Sequence, residues 1–524
     1  VRKQIDHCLE LLEQLDLIRT KSFQPELEYI FKHALIHEVI YNGLLLKDRR
    51  EIHEKIALVI EKVFGMRLSE FYESLAYHFE RGESRQKAID YLIKSGEKSL
   101  NRYAVHEAHQ YFKKAFERIT ERQTRGREED MRLIDLLIKW AFVFHFRGDF
   151  KGLKEILASH ENIAKTLNDK SRLGMLYTQL GLAHYQTENI IEAYHCLQDA
   201  LELGEETEDQ QVIGYACSHL SWVCPELGLT DDSLKLGRRG IEISELLQND
   251  EFLYYNSLGG MGLAYYYRGD RKKVREVGED LLNFARKHTN IRSQVLGHFF
   301  LGCSHIIAGD FSSAIICLKE AIKSSVDPWF SQFPRLLLGF SYLSSGLHEH
   351  AEEAIEEIFE YSYKFGTDII KTPARILEGV LRITKGDLSR GLKILENAQQ
   401  EHLRNERRYV YATAEDIIGR IYLQIVEGTH LKFSLLKNIG FLIRNVPSAS
   451  REAEKHFNSA IRISEQIGAM GTLGNAYFNL GLLYKAKGIR NQAHDSISKA
   501  ITCFEKCEAE AYLKEARETL GSIE

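Results

Sequence analysis

The sequence predicts an all-α chain built as a solenoid of helical hairpins, and three observations predict it. Proline is scarce, at 6 of 524 residues, as long helices require, because proline removes an amide donor and clashes with the preceding turn. A frame of small and aromatic residues recurs about every 40 positions. The chain is also too long for one ordinary hydrophobic core, a limit that a stack of repeats does not meet.

The frame is a small residue, an aromatic three later, Gly seven later and Ala twelve later, followed by an apolar and a small residue. Its clearest copy is Gly481, Tyr484, Gly488, Ala493, Ile497, Ala500. A second is Gly302, His305, Gly309, Ala314, Leu318, Ala321, and a third is Gly181, His184, Glu188, Ala193, Leu197, Ala200. Weaker copies are anchored at Ala141, Ser221, Gly262, Gly339, Gly379 and Gly419. From Gly181 to Gly419 the steps are 40, 41, 40, 37, 40 and 40 residues; the next, to Gly481, is 62. The excess marks an insertion, after which the frame resumes at Ala453, Phe457 and Ala460. Small residues let two antiparallel helices approach closely, and larger apolar residues at i, i+3, i+4 and i+7 fill the ridges around them. Gly at the turn ends the first helix in a left-handed cap, and Asp starts the second in Gly148-Asp149, Gly269-Asp270, Gly309-Asp310 and Gly386-Asp387. The pattern resembles the tetratricopeptide signature, lengthened from about 34 to about 40 residues per repeat. The expected architecture is a right-handed superhelical solenoid of about 10 helical hairpins, preceded by a partial winged-helix segment. The expected organisation is a winged-helix remnant at 1–64, a repeat array at 65–428, an inserted amphipathic segment at 429–450, and closing repeats with a cap at 451–524. Between Glu117 and Leu136 the frame lapses.

The amino-terminal end does not keep the frame. Val1 to Leu15 has the pattern of a helix, and Leu17-Ile-Arg-Thr and Leu27-Glu-Tyr-Ile-Phe alternate as two short strands around Ser22-Phe-Gln-Pro25. A further helix follows through His33 and His37. Helix, hairpin, helix is the order of the last part of a winged helix. The chain opens at Val1, not Met, inside a helical pattern, as expected for a piece of a longer polypeptide. Phe31-Lys-His-Ala-Leu-Ile-His-Glu-Val-Ile-Tyr41, Arg49-Arg50-Glu-Ile-His53, Leu75-Ala-Tyr-His-Phe79 and Lys87-Ala-Ile-Asp-Tyr91 resemble the segment after the ATPase in bacterial STAND-type signalling proteins. At the other end, Ala460-Ile-Arg-Ile-Ser-Glu-Gln-Ile-Gly-Ala469 and Leu480-Gly-Leu-Leu-Tyr-Lys-Ala-Lys-Gly488 are similar to their closing repeats. The resemblance implies upstream ATPase and effector modules, a class III adenylate/guanylate cyclase or a Ser/Thr kinase, with this chain as the sensor arm.

The chemistry of those modules is absent from these residues. No G-x-x-x-x-G-K-[ST] loop, kinase signature or assignable cyclase metal pair occurs, so no catalytic residue, metal or cofactor is expected. The formal net charge of −6, with both signs interspersed, argues against a nucleic-acid surface. No secretory leader and no apolar run long enough to span a membrane is present. The 8 Cys form no C-x-x-C pair and occupy apolar helical positions, as in a reducing, cytoplasmic compartment. Cys503 and Cys507, and His33 and His37, are each four apart, but packing explains them better than a metal. The basic pairs Arg49-Arg50 and Arg238-Arg239 are expected on solvated faces. Phe433 to Arg444 is expected as an extra amphipathic helix packed on the solenoid, a membrane or partner helix being the other possibility.

The inner face of such a solenoid is lined by the first helix of each hairpin. The corresponding positions are Leu182 and Tyr185, Trp222 and Pro225, Leu263 and Tyr266, Cys303 and Ile306, Phe340 and Leu343, with Tyr267 and Phe299 adjoining. Tyr185, Trp222, Tyr266, Tyr267, Phe299 and Phe340 are therefore the candidate binding residues, for a protein or peptide partner or a small-molecule signal. A tightly coiled solenoid would instead bury the same wall in itself. The expected function is a non-catalytic sensor controlling an attached effector; a free-standing scaffold and the regulatory half of a transcription activator are the alternatives.

Overall fold

The computed structural model describes residues 2–22, 27–122, 124–248, 250–428 and 446–523. They fall into two compact units, Val1–Glu129 and Asp130–Glu524.

The first unit begins with α1 (Arg2–Gln14), β1 (Ile18–Ser22), β2 (Glu28–Phe31) and α2 (Ala34–Gly43). The strands pair antiparallel, Ile18 opposite Phe31 and Arg19 opposite Ile30, so the alternation at 17–31 does form a hairpin. Four helices follow: α3 (Leu46–Val63), α4 (Tyr72–Arg81), α5 (Arg85–Asn101) and α6 (Val105–Thr120). Gly96 lets α5 ride directly on the Phe112 ring of α6, where any Cβ would lie 2.8 Å from the ring edge. Ala108 and Ala115, spaced at i and i+7, flank that contact and are fully buried.

The second unit is a stack of hairpins. In chain order they are α7 (Arg127–Arg147) with α8 (Phe150–Thr166), α9 (Lys170–Gln186) with α10 (Ile190–Thr207), and α11 (Gln210–Glu226) with α12 (Thr230–Leu246). Next come α13 (Glu251–Arg268) with α14 (Arg271–His288), α15 (Ile291–Ala308) with α16 (Phe311–Ser324), and α17 (Gln332–Ser344) with α18 (His348–Phe365). The stack ends with α19 (Asp368–Thr384) and α20 (Leu388–Arg404), α21 (Arg408–Glu427) and α22 (Ala449–Ile467), α23 (Met470–Ala486) and α24 (Arg490–Cys507), and a closing α25 (Glu510–Gly521). The amphipathic segment expected at 433–444 lies outside the described residues. Ala453, Phe457 and Ala460 are all fully buried in α22, which pairs with α21, so the frame resumes in phase.

The turns are built as their residues dictate. Gly148, Gly269, Gly309 and Gly386 take φ of 72°, 75°, 79° and 88°, a region costly for any residue with a Cβ. The Asp after each glycine caps the second helix: Asp149, Asp270, Asp310 and Asp387 accept from the amides of Gly152, Lys273, Ser313 and Arg390. At the helix crossings a Cβ on Gly181 or Gly481 would lie 2.5 Å from Leu197 or Ile497, and one on Gly302 would lie 2.8 Å from Leu318. The short step of 37 residues arises because α16 has only 14 residues and the seven after it, Ser325–Ser331, cross to α17 without a regular helix. That crossing carries Trp329, which is fully buried against Phe150 and Phe333.

First helices form the inner layer and second helices the outer one. The inner α11 buries 14 of its 17 residues and the outer α12 only 7 of 17. The inner helices are covered on both sides because the coil returns over itself. The turn glycine Gly148 sits against Tyr361, Gly228 against Ile467, and Gly309 against Ala511 and Tyr512. Arg271, at the start of α14, bonds Glu510 at 2.5 Å and the carbonyl of Glu508 at 3.0 Å.

Candidate functional site

The inner helices converge on a cavity of about 250 Å3 along the axis of the second unit. All six aromatic candidates line it: Tyr185 from α9, Trp222 from α11, Tyr266 and Tyr267 from α13, Phe299 from α15 and Phe340 from α17. Tyr185, Tyr267 and Phe299 are buried, whereas Trp222, Tyr266 and Phe340 are half-buried. Leu263 and Ile306 also line it, and Leu182 faces a smaller neighbouring space. Pro225 and Cys303 are instead buried among packed helices. The far wall comes from the returning hairpins, with Ile369 and Pro373 of α19, Tyr409 and Thr413 of α21, and Asn475 of α23. Tyr409 stacks on Tyr267 at 3.8 Å with the rings 7° apart.

A buried charged cluster stands at one side of the cavity. Arg407, just before α21, donates from Nε to Glu226 at 2.9 Å and from Nη1 to Glu188 at 2.8 Å and to the Ile369 carbonyl at 3.0 Å. Glu226 also accepts from the Tyr267 hydroxyl at 2.9 Å, and Glu188 from the Thr372 hydroxyl at 2.6 Å. The three charged side chains are each under 5% exposed. Burial pushes the Glu188 carboxyl up from the usual carboxylate range, with Arg407 opposing. Burial also works against the charge of Arg407, but Glu226 and Glu188 overcome it and hold the guanidinium protonated. His402, 3.8 Å from Glu188, is held neutral by burial and by Arg407. Glu188 and Glu226 belong to α9 and α11 hairpins, while Arg407 and Thr372 lie 180 or more residues later. The cluster therefore joins two passes of the coil.

Sequence periodicity gives no sign of Arg407 as a partner, since repeats encode contacts between neighbours and this one spans 219 residues. Glu188 does leave a signal. It occupies the frame position that holds Gly309 and Gly488 in the clearer copies, and it takes the same left-handed backbone, at φ 60°.

The other sequence features have structural surroundings. His33 precedes α2 and His37 packs between Phe31 and Tyr41 at 5.2 and 5.9 Å. Among the described residues, no group of three or more His, Cys, Asp or Glu is placed to hold a metal ion. Cys503 and Cys507 are buried free thiols, and burial pushes Cys507 up to about 12. Arg49 lies over the Tyr41 ring and bonds the Leu44 carbonyl at 3.0 Å, and Arg239 pairs with Glu205 at 2.7 Å. No helix among the described residues is long and apolar enough to cross a membrane.

No family model matches the chain. An uncharacterised protein of Rhizobium meliloti (strain 1021) is 31% identical over 108 residues, which are 21% of this chain. The chain spans about a tenth of that relative's length. Among solved structures, a Rap protein complexed with competence and sporulation factor is similar over 71% of this chain and 100% of its own, with a TM-score of 0.51 at 13% identity. A tetratricopeptide repeat protein of Parabacteroides merdae ATCC 43184 matches 53% of this chain and 98% of its own, with a TM-score of 0.31 at 15% identity. The Rap likeness and the hairpin stack together make this an all-α, tetratricopeptide-like repeat solenoid.

Proposed function

We propose that this chain is a non-catalytic sensor whose second unit takes a signal molecule into its axial cavity. One observation carries the proposal: six aromatic side chains from five successive hairpins face one cavity of about 250 Å3. Convergent aromatic walls with few polar groups are what a ligand pocket needs, since they offer large apolar area at little entropic cost. The Rap neighbour, complexed with competence and sporulation factor, supports a fold suited to taking up a signal. A protein or peptide partner would engage by placing an apolar side chain in the cavity. A population shift between closed and more open coils then transmits binding. The resemblance of both chain ends to STAND-type proteins makes an ATPase with a cyclase or kinase effector the partner so controlled.

The test uses N-phenyl-1-naphthylamine, an uncharged apolar fluorophore. It should bind once per chain, with energy transfer from the tryptophans of the second unit that falls in Trp222→Phe. Leu337→Trp, which fills the cavity wall, should abolish binding while helix content is kept. Failure of the dye to bind, or binding indifferent to Leu337→Trp, would overturn the proposal.

A further inference from the structure

Behind the aromatic wall lies a second, smaller space of about 40 Å3, with Tyr185, Trp222 and Phe333 common to both. Its floor differs in kind from the main cavity. Gln186 and His219 line it, each under 5% exposed, and Gln186 Oε1 and His219 Nε2 are buried without a hydrogen-bond partner. Orphaned polar atoms at such depth are uncommon, because each forfeits its hydration for nothing. The charged groups nearby are paired with one another. Glu226 and Arg407 spend their bonds on each other, on Tyr267 and on Glu188. Arg292 lies over the rings of Phe146 and Phe330 with its Nε on Asp327 at 3.1 Å; its Nη1 and Nη2 are buried without a partner, but its charge is paired with Asp327 and it does not line the space. Burial lowers the His219 imidazole to about 3 and His145 well below its usual value, so both rings of this space are uncharged at neutral pH. About 10–15 Å3 of such space admits one water, so the space takes an end group of a few atoms.

We infer that the ligand is an apolar, ring-sized molecule with one uncharged end group that both donates and accepts hydrogen bonds, a hydroxyl or a primary amide. Its body fills the axial cavity and its end group passes between Tyr185, Trp222 and Phe333 to meet Gln186 and His219. A group that both donates and accepts satisfies either orientation of the Gln186 amide and either tautomer of His219. No Asp, Glu, Lys or Arg lines the space, so a carboxylate or an ammonium would enter it without a counter-charge, which is costly in an apolar surround. The inference rests on the axial cavity being the binding site, and it adds the chemistry of what binds there.

The experiment is competition against N-phenyl-1-naphthylamine by five probes: naphthalene, 2-naphthol, 2-naphthamide, 2-naphthoate and 2-naphthylmethylammonium. The naphthol and the amide should bind about tenfold more tightly than naphthalene, the return expected from two neutral hydrogen bonds, and both charged probes should bind more weakly than naphthalene. Gln186→Leu should cut the amide's advantage over naphthalene to about threefold, the share left by the bond to His219. Equal affinity for all five probes, or a preference for either charged one, would overturn this inference and leave the cavity standing. Failure of every probe and of the dye would overturn both. The ranking on the unaltered chain is decisive by itself if the variant does not fold.

Discussion

At the scale of single residues, the informative positions are those where a side chain departs from what its surroundings favour. Asp416 is one. It is buried on α21, donates nothing in its ionised form, and accepts from Asn479 Nδ2 at 2.9 Å. Burial pushes its carboxyl up to about 6, with Arg420 and Asn479 opposing. A carboxyl whose pKa is higher folded than unfolded favours the folded state when protonated, and that contribution is lost as pH rises from 3.8 through about 6. At pH 7 the ionised group therefore costs roughly 3 kcal/mol. Asp416→Asn keeps the acceptor and removes the ionisation. The variant should melt above the parent at pH 7 to 8, with the difference vanishing below about pH 4, in paired thermal scans across that range; a constant difference at all pH values would contradict the assignment. The six cavity aromatics were legible at this scale because their positions follow from the frame. Gln186 and His219 were not, because an amide and an imidazole on an inner helix have the same sequence signature whether or not a partner meets them.

At the scale of elements, the frame encodes contact geometry. Gly302 faces Leu318 with no room for a Cβ, and Ala314 and Ala321 on α16 are fully buried around that contact. Gly302→Val should separate α15 from α16 and lower stability by about 2 kcal/mol or more, because overpacking a closed crossing forces backbone shifts. Chemical denaturation of the full chain measures it, and a variant as stable as the parent would show that the crossing yields easily. Hairpin order, turn positions and caps were all legible for this reason: each depends on residues within about one repeat of one another. The 37-residue step was visible as a number, but its cause, a shortened α16 and a crossing that buries Trp329, was not, since nothing local distinguishes a plugged crossing from a deletion.

At the scale of the second unit, the decisive interactions are those between passes of the coil. Arg407 with Glu188 and Glu226 is the most buried of them. Arg407→Met should lower the unfolding free energy by about 3–5 kcal/mol, because it strands two carboxylates away from water. The triple variant Glu188→Gln, Glu226→Gln, Arg407→Met should recover most of that loss, since no charge is left unpaired. Urea titration followed by ellipticity distinguishes the two, and a single variant as stable as the parent would show that the cluster does not hold the passes together. None of this closure was legible. Whether a coil of 40-residue repeats stays open or returns on itself depends on small rotations accumulated over several hairpins, and sequence spacing does not record them.

The return of the coil changes the statistics of the molecule. An open array is a one-dimensional chain of units, each held by two neighbours, so it can fray from either end and its stability is a sum of local terms. Where Gly148 meets Tyr361, Gly228 meets Ile467 and Glu188 meets Arg407, a hairpin gains a third neighbour far away in sequence. The array becomes a strip rolled into a sheet of units, in which no interior hairpin can melt without loosening one on the next pass. Disturbance at one hairpin is then felt across the axis before it is felt along the chain.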